Sequence, residues 1–221
     1  MMHSTNHQAS HLTPPAIQID QYNSRYGVDP INRHLVQGYT EMVTDRIDDG
    51  WTGNLVTFLF SQLPGTRSAV INQMKDEIQR VYSTLVTRVH RKPRTASPDD
   101  LPVMIAAVDL RVYKRERSSL PTVLCNGGLH FHAVLLIPPR SRLEGSVKEH
   151  FGSNEGLYRG RRRVVTTIHV EPLTGDHERV VDYVLKTVLR GSVSYDEGVL
   201  LLPRASQELA SGYPPGRDFT Q

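Results

Sequence analysis

One cysteine in 221 residues leaves Cys125 no partner for an intramolecular disulfide and excludes any metal site built from several thiolates. Its expected state is a reduced thiol in the cytoplasm. No run of about twenty apolar residues occurs, and the start of the chain lacks the charged, apolar and small-residue order of a secretory leader, so neither membrane insertion nor export finds support. A G-x-x-x-x-G-K-[ST] phosphate loop is missing, so the chain carries no P-loop helicase module. Aromatic residues make up only 7%, with one tryptophan, Trp51. Trp51 and Phe131 could stack on a planar ligand, but a core role suits both better. No internal repeat is visible.

What is present suits a single packed body. A 38% hydrophobic fraction at this length can bury one sizeable core. The formal net charge is only +3, so its distribution matters more than its sum. Arg159-Gly160-Arg161-Arg162-Arg163, Arg88 to Arg94 and Lys114 to Arg117 are locally basic, a pattern that suits phosphate contacts and equally suits solvated loops.

Hydrophobic spacing sets the expected order of elements. Residues 1–28 are polar, lack either main periodicity and are expected to form a flexible tail. Asp29-Pro30 opens a helical pattern through Ile31, Leu35, Tyr39, Met42, Val43 and Ile47. A strand at 54–61 follows, then a long helix at 68–90 with Val70, Met74, Ile78, Val81, Leu85 and Val89 as its apolar stripe. Strands at 102–113 and 129–137 flank a polar loop, as an antiparallel pair would. A short helix at 143–151, the arginine loop, a strand at 164–170 and a helix at 176–190 complete residues 29–191. Residues 192–221 are read as a C-terminal strand, Val199-Leu200-Leu201-Leu202, and a tail. This order predicts an α+β fold with a central antiparallel sheet flanked by helices.

Two motifs carry chemistry. In Leu129-His130-Phe131-His132-Ala133, strand alternation projects both histidines from one face while Phe131 turns to the other. Burying two imidazoles without partners is costly, and a metal would supply the partner; neighbouring carbonyls are the plainer alternative. In Tyr183-Val184-Leu185-Lys186, the helical stripe Val181, Val184, Leu185 and Val188 faces the core, while Tyr183, Lys186, Thr187 and Arg190 share another face. Asp176 is placed to cap this helix and Gly191 to stop it.

Their combination and order resemble the HUH endonuclease superfamily, specifically its single-tyrosine rolling-circle replication initiators, over about 51–190. Leu55-Val56-Thr57-Phe58-Leu59-Phe60 is similar to the first strand motif of those initiators, and Asp109 lies where the family often has an acidic metal ligand. The tyrosine follows the histidines, unlike the order in conjugative relaxases. The resemblance implies a sheet carrying His130 and His132, a tyrosine helix beside it, and site-specific DNA nicking with strand transfer through a 5′-phosphotyrosine bond. It also implies single-stranded or origin DNA as partner, together with a host helicase and polymerase. Related transposases and a degenerate, non-cleaving DNA-binding protein are the alternatives. Histidine-triad nucleotide hydrolases continue to a third histidine, but position 134 is Val. A second catalytic tyrosine, as in some phage initiators, would fall about four residues along the helix, where position 187 is Thr.

In the residues' own terms, His130, His132 and a carboxylate can hold a divalent ion, Mg or Mn, with positions open for a phosphate oxygen. A phenol titrates near pH ~10, so Tyr183 needs positive charge or a base to act as nucleophile, and Lys186 is placed to help or to bind the phosphate. Asp109 is favoured as the third ligand because a carboxylate in an apolar strand needs compensation. A buried ion pair with arginine is its alternative role, His169 is a rival ligand, and Glu171 and Asp182 are weaker ones. Arg159, Arg161, Arg162 and Arg163 are the candidate DNA contacts.

Overall fold

The computed structural model describes residues 30–110, 125–160 and 163–204. The segments 1–28, Lys114 to Arg117 and 205–221, and the residues Arg161 and Arg162, lie outside the described residues. The chain order is α1 (Pro30–Asp48), β1 (Thr52–Phe60), α2 (Arg67–Val89), β2 (Val103–Leu110), β3 (Leu129–Ile137), α3 (Val147–Ser153), α4 (Glu155–Tyr158), β4 (Val165–Pro172), α5 (His177–Leu189), α6 (Tyr195–Gly198) and β5 (Val199–Leu202). The strands form one sheet in the order β4-β1-β3-β2-β5, every neighbouring pair antiparallel. The fold is thus α+β, with helices on both faces of a five-stranded antiparallel sheet.

The central strand explains the layering. All nine residues of β3 are buried, as an unbroken apolar run requires when both faces are covered. Phe131, Ala133, Leu135 and Ile137 pack with Ile71, Met74, Ile78 and Leu85 of α2, and with Phe151 and Tyr158 of the short helices. Val134 and Leu136 turn the other way, toward Val36 and Val43 of α1 and Val181, Val184, Leu185 and Val188 of α5. By the same alternation His130 and His132 face the α1 and α5 layer. On β2, Ile105 and Ala107 face that layer, and Asp109 continues their series.

Local chemistry sets the ends of the helices. The Thr66 hydroxyl accepts from Ala69 N–H at the start of α2, and Asp176 Oδ1 accepts from Arg179 N–H at the start of α5, each supplying an acceptor to an orphan donor of the first turn. Ser146 and Glu149 close a reciprocal capping box on α3. Gly191, with φ of 62°, takes the left-handed conformation that ends α5 without a Cβ penalty. Trp51 is buried with the guanidinium of Arg46 4.4 Å above its ring.

Two expectations shift. The helix expected at 143–151 starts later, at Val147, where Ser146 and Glu149 close the capping box, and a second short helix follows it. Residues 111–113 of the strand expected at 102–113 lie outside the described residues. Thr187 does not share the exposed face of Tyr183: it is buried, and its hydroxyl donates to the Val108 carbonyl at 2.6 Å. A hydroxyl i+4 from tyrosine still packs inward when a strand carbonyl lies within reach to satisfy it. Thr187→Val keeps the shape and removes that bond, so it should lower unfolding stability by about 1 kcal/mol in denaturant titration.

Candidate metal centre and tyrosine site

Register brings the candidate ligands together. Asp109 pairs with His130 across β2 and β3, and Ala107 with His132. Asp109 Oδ2 lies 3.5 Å from His130 Nε2 and 3.4 Å from His132 Nε2, and all three residues are buried. Among the described residues, Asp109, His130 and His132 are the group whose ligand atoms lie close enough, within 4.8 Å, to hold one metal ion. Of the two rivals for third ligand, Asp109 is therefore in the group, while His169 is exposed on β4 opposite Thr57 and outside it. Glu171 pairs with Lys148 at 3.0 Å. Asp182 is half-buried on α5, its carboxyl pushed up first by burial and then by the charges of Glu178 and Asp176.

The outer nitrogens are held separately. His130 Nδ1 lies 3.1 Å from the Gly128 carbonyl, which can only accept, so Nδ1 carries the proton. That carbonyl belongs to a turn, Cys125–Gly128, in which Asn126, Gly127 and Gly128 have φ of 55°, 63° and 84°. Buried Asn126 ties the turn to the end of β1: its Oδ1 accepts from Leu63 N–H at 2.8 Å and its Nδ2 donates to the Ser61 carbonyl at 2.9 Å. His132 Nδ1 lies 2.9 Å from Thr57 Oγ1, and Thr57 pairs with His132 across β1 and β3.

A divalent ion fits this donor set. His130 Nε2 and His132 Nε2 lie 3.1 Å apart, a separation at which two lone pairs need a proton or a cation to share. Asp109 Oδ1 is buried with no hydrogen-bond partner among the described residues, an atom that an ion would satisfy. Two imidazoles and a carboxylate suit the divalent first-row metals.

Helix α5 delivers the other two groups. Tyr183 is 41% exposed, yet its hydroxyl reaches to 3.0 Å from His132 Nε2. One turn later, Lys186 places its ammonium 2.6 Å from Asp109 Oδ2 and 4.1 Å from the centre of the Tyr183 ring. Burial is the largest influence on the Asp109 carboxyl and would raise it. With the imidazoles protonated and no ion between them, hydrogen bonds from His132 and Lys186, with the positive charges of Lys186 and His130, outweigh burial and bring it from 3.8 down to about 2.

The arginines are more dispersed. Arg159 pairs with Glu155 at 3.0 Å, and Arg163 is exposed just before β4. Both lie near the end of the sheet where β2 finishes and β3 begins, since Val165 pairs with Phe60 at the end of β1. Arg88 lines a cavity of about 450 Å³ with Arg142 and His150, between α2 and α3 on the opposite face of the sheet. Thr57 and Asn126 are the site residues that motif reading did not single out. Asn126-Gly127-Gly128 is a turn signal just ahead of the histidines, whereas nothing local marks Thr57.

Comparison with protein-family models, curated proteins and solved structures finds no match. Among the described residues no helix is long and apolar enough to cross a membrane.

Two outcomes test this centre. Calorimetric titration with Mn²⁺ should show binding to the wild type, its loss in His130→Ala and His132→Ala, and weakened binding in Asp109→Asn, which withdraws a charged ligand. For Lys186→Met the sign follows from Asp109. A carboxyl depressed from 3.8 to about 2 in the fold adds stability that is complete above its ordinary value and lost as pH falls toward 2. Removing the ammonium lessens that depression, so Lys186→Met should begin acid unfolding at higher pH, as followed by circular dichroism.

Proposed function

We propose that this protein is a metal-dependent, site-specific DNA nickase and strand transferase that starts rolling-circle replication of a plasmid or phage-like element. The observation that carries the reading is the hydroxyl of a partly exposed tyrosine 3.0 Å from a nitrogen of the buried Asp109, His130 and His132 group. An exposed nucleophile beside a buried ligand set is the juxtaposition that phosphoryl transfer to a side chain needs.

In this reading Asp109, His130 and His132 would hold a divalent ion, Mg or Mn, and such an ion would supply Lewis-acid polarisation of a phosphate oxygen of the scissile phosphodiester. Tyr183 Oη attacks the phosphorus, the phosphorus–O3′ bond breaks, and the 3′ oxygen leaves and takes up a proton. The phenol proton passes to a base or to water. One phosphate ester replaces another, so the 3′ hydroxyl can later reattack and release the tyrosine. The Lys186 ammonium over the ring stabilises negative charge as it grows on the phenol, and its bond to Asp109 fixes that carboxylate. Lys186 therefore serves ligand and nucleophile together. Arg159, Arg161, Arg162 and Arg163 contact phosphates of the single strand and position it without reading its sequence. The part of the sheet near β1 and β4, where Leu55, Thr57 and Leu59 are only half-buried and His169 is exposed, gives a strand room to approach. Unwinding and synthesis fall to a host helicase and polymerase.

The decisive measurement uses Mn²⁺ or Mg²⁺ and a pool of single-stranded oligonucleotides, with the covalent adduct mapped to a peptide. The wild type should yield an adduct on Tyr183. Tyr183→Phe should bind DNA as before and yield neither cleavage nor adduct. Lys186→Met should slow the reaction while leaving the adduct on Tyr183. Cleavage without any adduct would make water the nucleophile, and binding without cleavage would make the protein a non-cleaving DNA binder.

A further inference from the structure

The two nitrogens of His132 face different neighbours. Nε2 points to Asp109 Oδ2 at 3.4 Å, His130 Nε2 at 3.1 Å and the Tyr183 hydroxyl at 3.0 Å. Nδ1 points to Thr57 Oγ1 at 2.9 Å. A neutral imidazole has one proton and one nitrogen lone pair, and it ligates only through the lone pair. If the proton sits on Nε2, His132 offers nothing to an ion shared with Asp109 and His130.

His130 does not face this choice, because a backbone carbonyl holds its Nδ1 proton. For His132 the corresponding partner is a side-chain hydroxyl, able to donate or accept, and it comes from β1, the neighbouring strand. Thr57 is suited to it: register sets it directly opposite His132, and β-branching restricts its rotamer on a strand.

We propose that Thr57 is a positioning residue of the metal centre. Its hydroxyl accepts the Nδ1 proton of His132 and thereby turns the Nε2 lone pair toward the ion. The proposal rests on the reading of Asp109, His130 and His132 as a metal site. It assigns a function to the first strand motif: that strand sets the proton on one ligand of the next.

The test uses the full chain carrying Thr57→Val, which keeps the branched shape without the hydroxyl, and Thr57→Ser, which keeps the hydroxyl. Calorimetry with Mn²⁺ should show binding weakened by about 10- to 100-fold in Thr57→Val and close to wild type in Thr57→Ser. Thermal unfolding checks that each variant is folded, and Thr57→Ala replaces the valine variant if that one is not. A second readout is independent of affinity. With Zn²⁺ bound and histidine ¹⁵N-labelled, the His132 Nδ1 proton should exchange slowly with water in wild type and Thr57→Ser, and rapidly in Thr57→Val. Equal Mn²⁺ affinity in wild type and Thr57→Val, or rapid exchange in the wild type, overturns the role of Thr57 and leaves the metal centre standing. An equal loss in the serine and valine variants overturns it too, because the hydroxyl is then not what matters. A wild type that binds no metal overturns both readings.

Discussion

A carboxylate only 3% exposed in an otherwise apolar strand needs compensation on the spot, and much of the site is arranged around that need. Asp109 is met by the Lys186 ammonium from α5 and by two imidazoles from β3. Removing one partner from such a group leaves a buried charge uncompensated, which costs far more than a surface ion pair contributes. The lysine therefore cannot be treated as a mobile surface charge. The buried stripe Val181, Val184, Leu185 and Val188 and the Thr187 bond orient α5, and that orientation brings Lys186 to Asp109 and Tyr183 to His132.

The two faces of the sheet divide the work. The α2 side is filled by aliphatic and aromatic side chains and carries the larger apolar cluster. The α1 and α5 side is apolar over the near ends of β2 and β3, then changes to Asp109, His130 and His132 within the same alternating rows. One strand thus serves both core and chemistry, because consecutive residues turn opposite ways. Thr187 joins the two regions, bonding helix to strand one turn beyond Tyr183.

The features legible in the sequence were those with a local period. Alternation put both histidines on one face of β3, the three-to-four spacing put Tyr183 and Lys186 together, and Asp176 and Gly191 marked the limits of α5. The pairing of Asp109 with the histidines is legible because two strands flanking one loop are neighbours by connectivity. Thr57 was out of reach because its partner lies 75 residues away and is set by register between strands that are not consecutive in the chain. Thr187 departs from the spacing for a related reason: helical period gives the direction of a side chain, but the strand carbonyl that receives it is set only by packing. The contact of Lys186 with Asp109 likewise depends on which face of the sheet α5 covers.

The central position of β3 also divides the site by the kind of motion open to it. His132 lies on β3 between Thr57 of β1 and Ala107 of β2, so displacing it means opening the sheet on both sides, while His130, one residue beyond the β1 ladder, is paired with Asp109 of β2. Tyr183 is carried by a thirteen-residue helix that adheres through side chains and is bounded by two left-handed glycines, Gly175 and Gly191. Hydrogen exchange would accordingly divide the centre into a slow half and a faster half. His132 opens with the sheet, whereas Tyr183 opens with a docked helix.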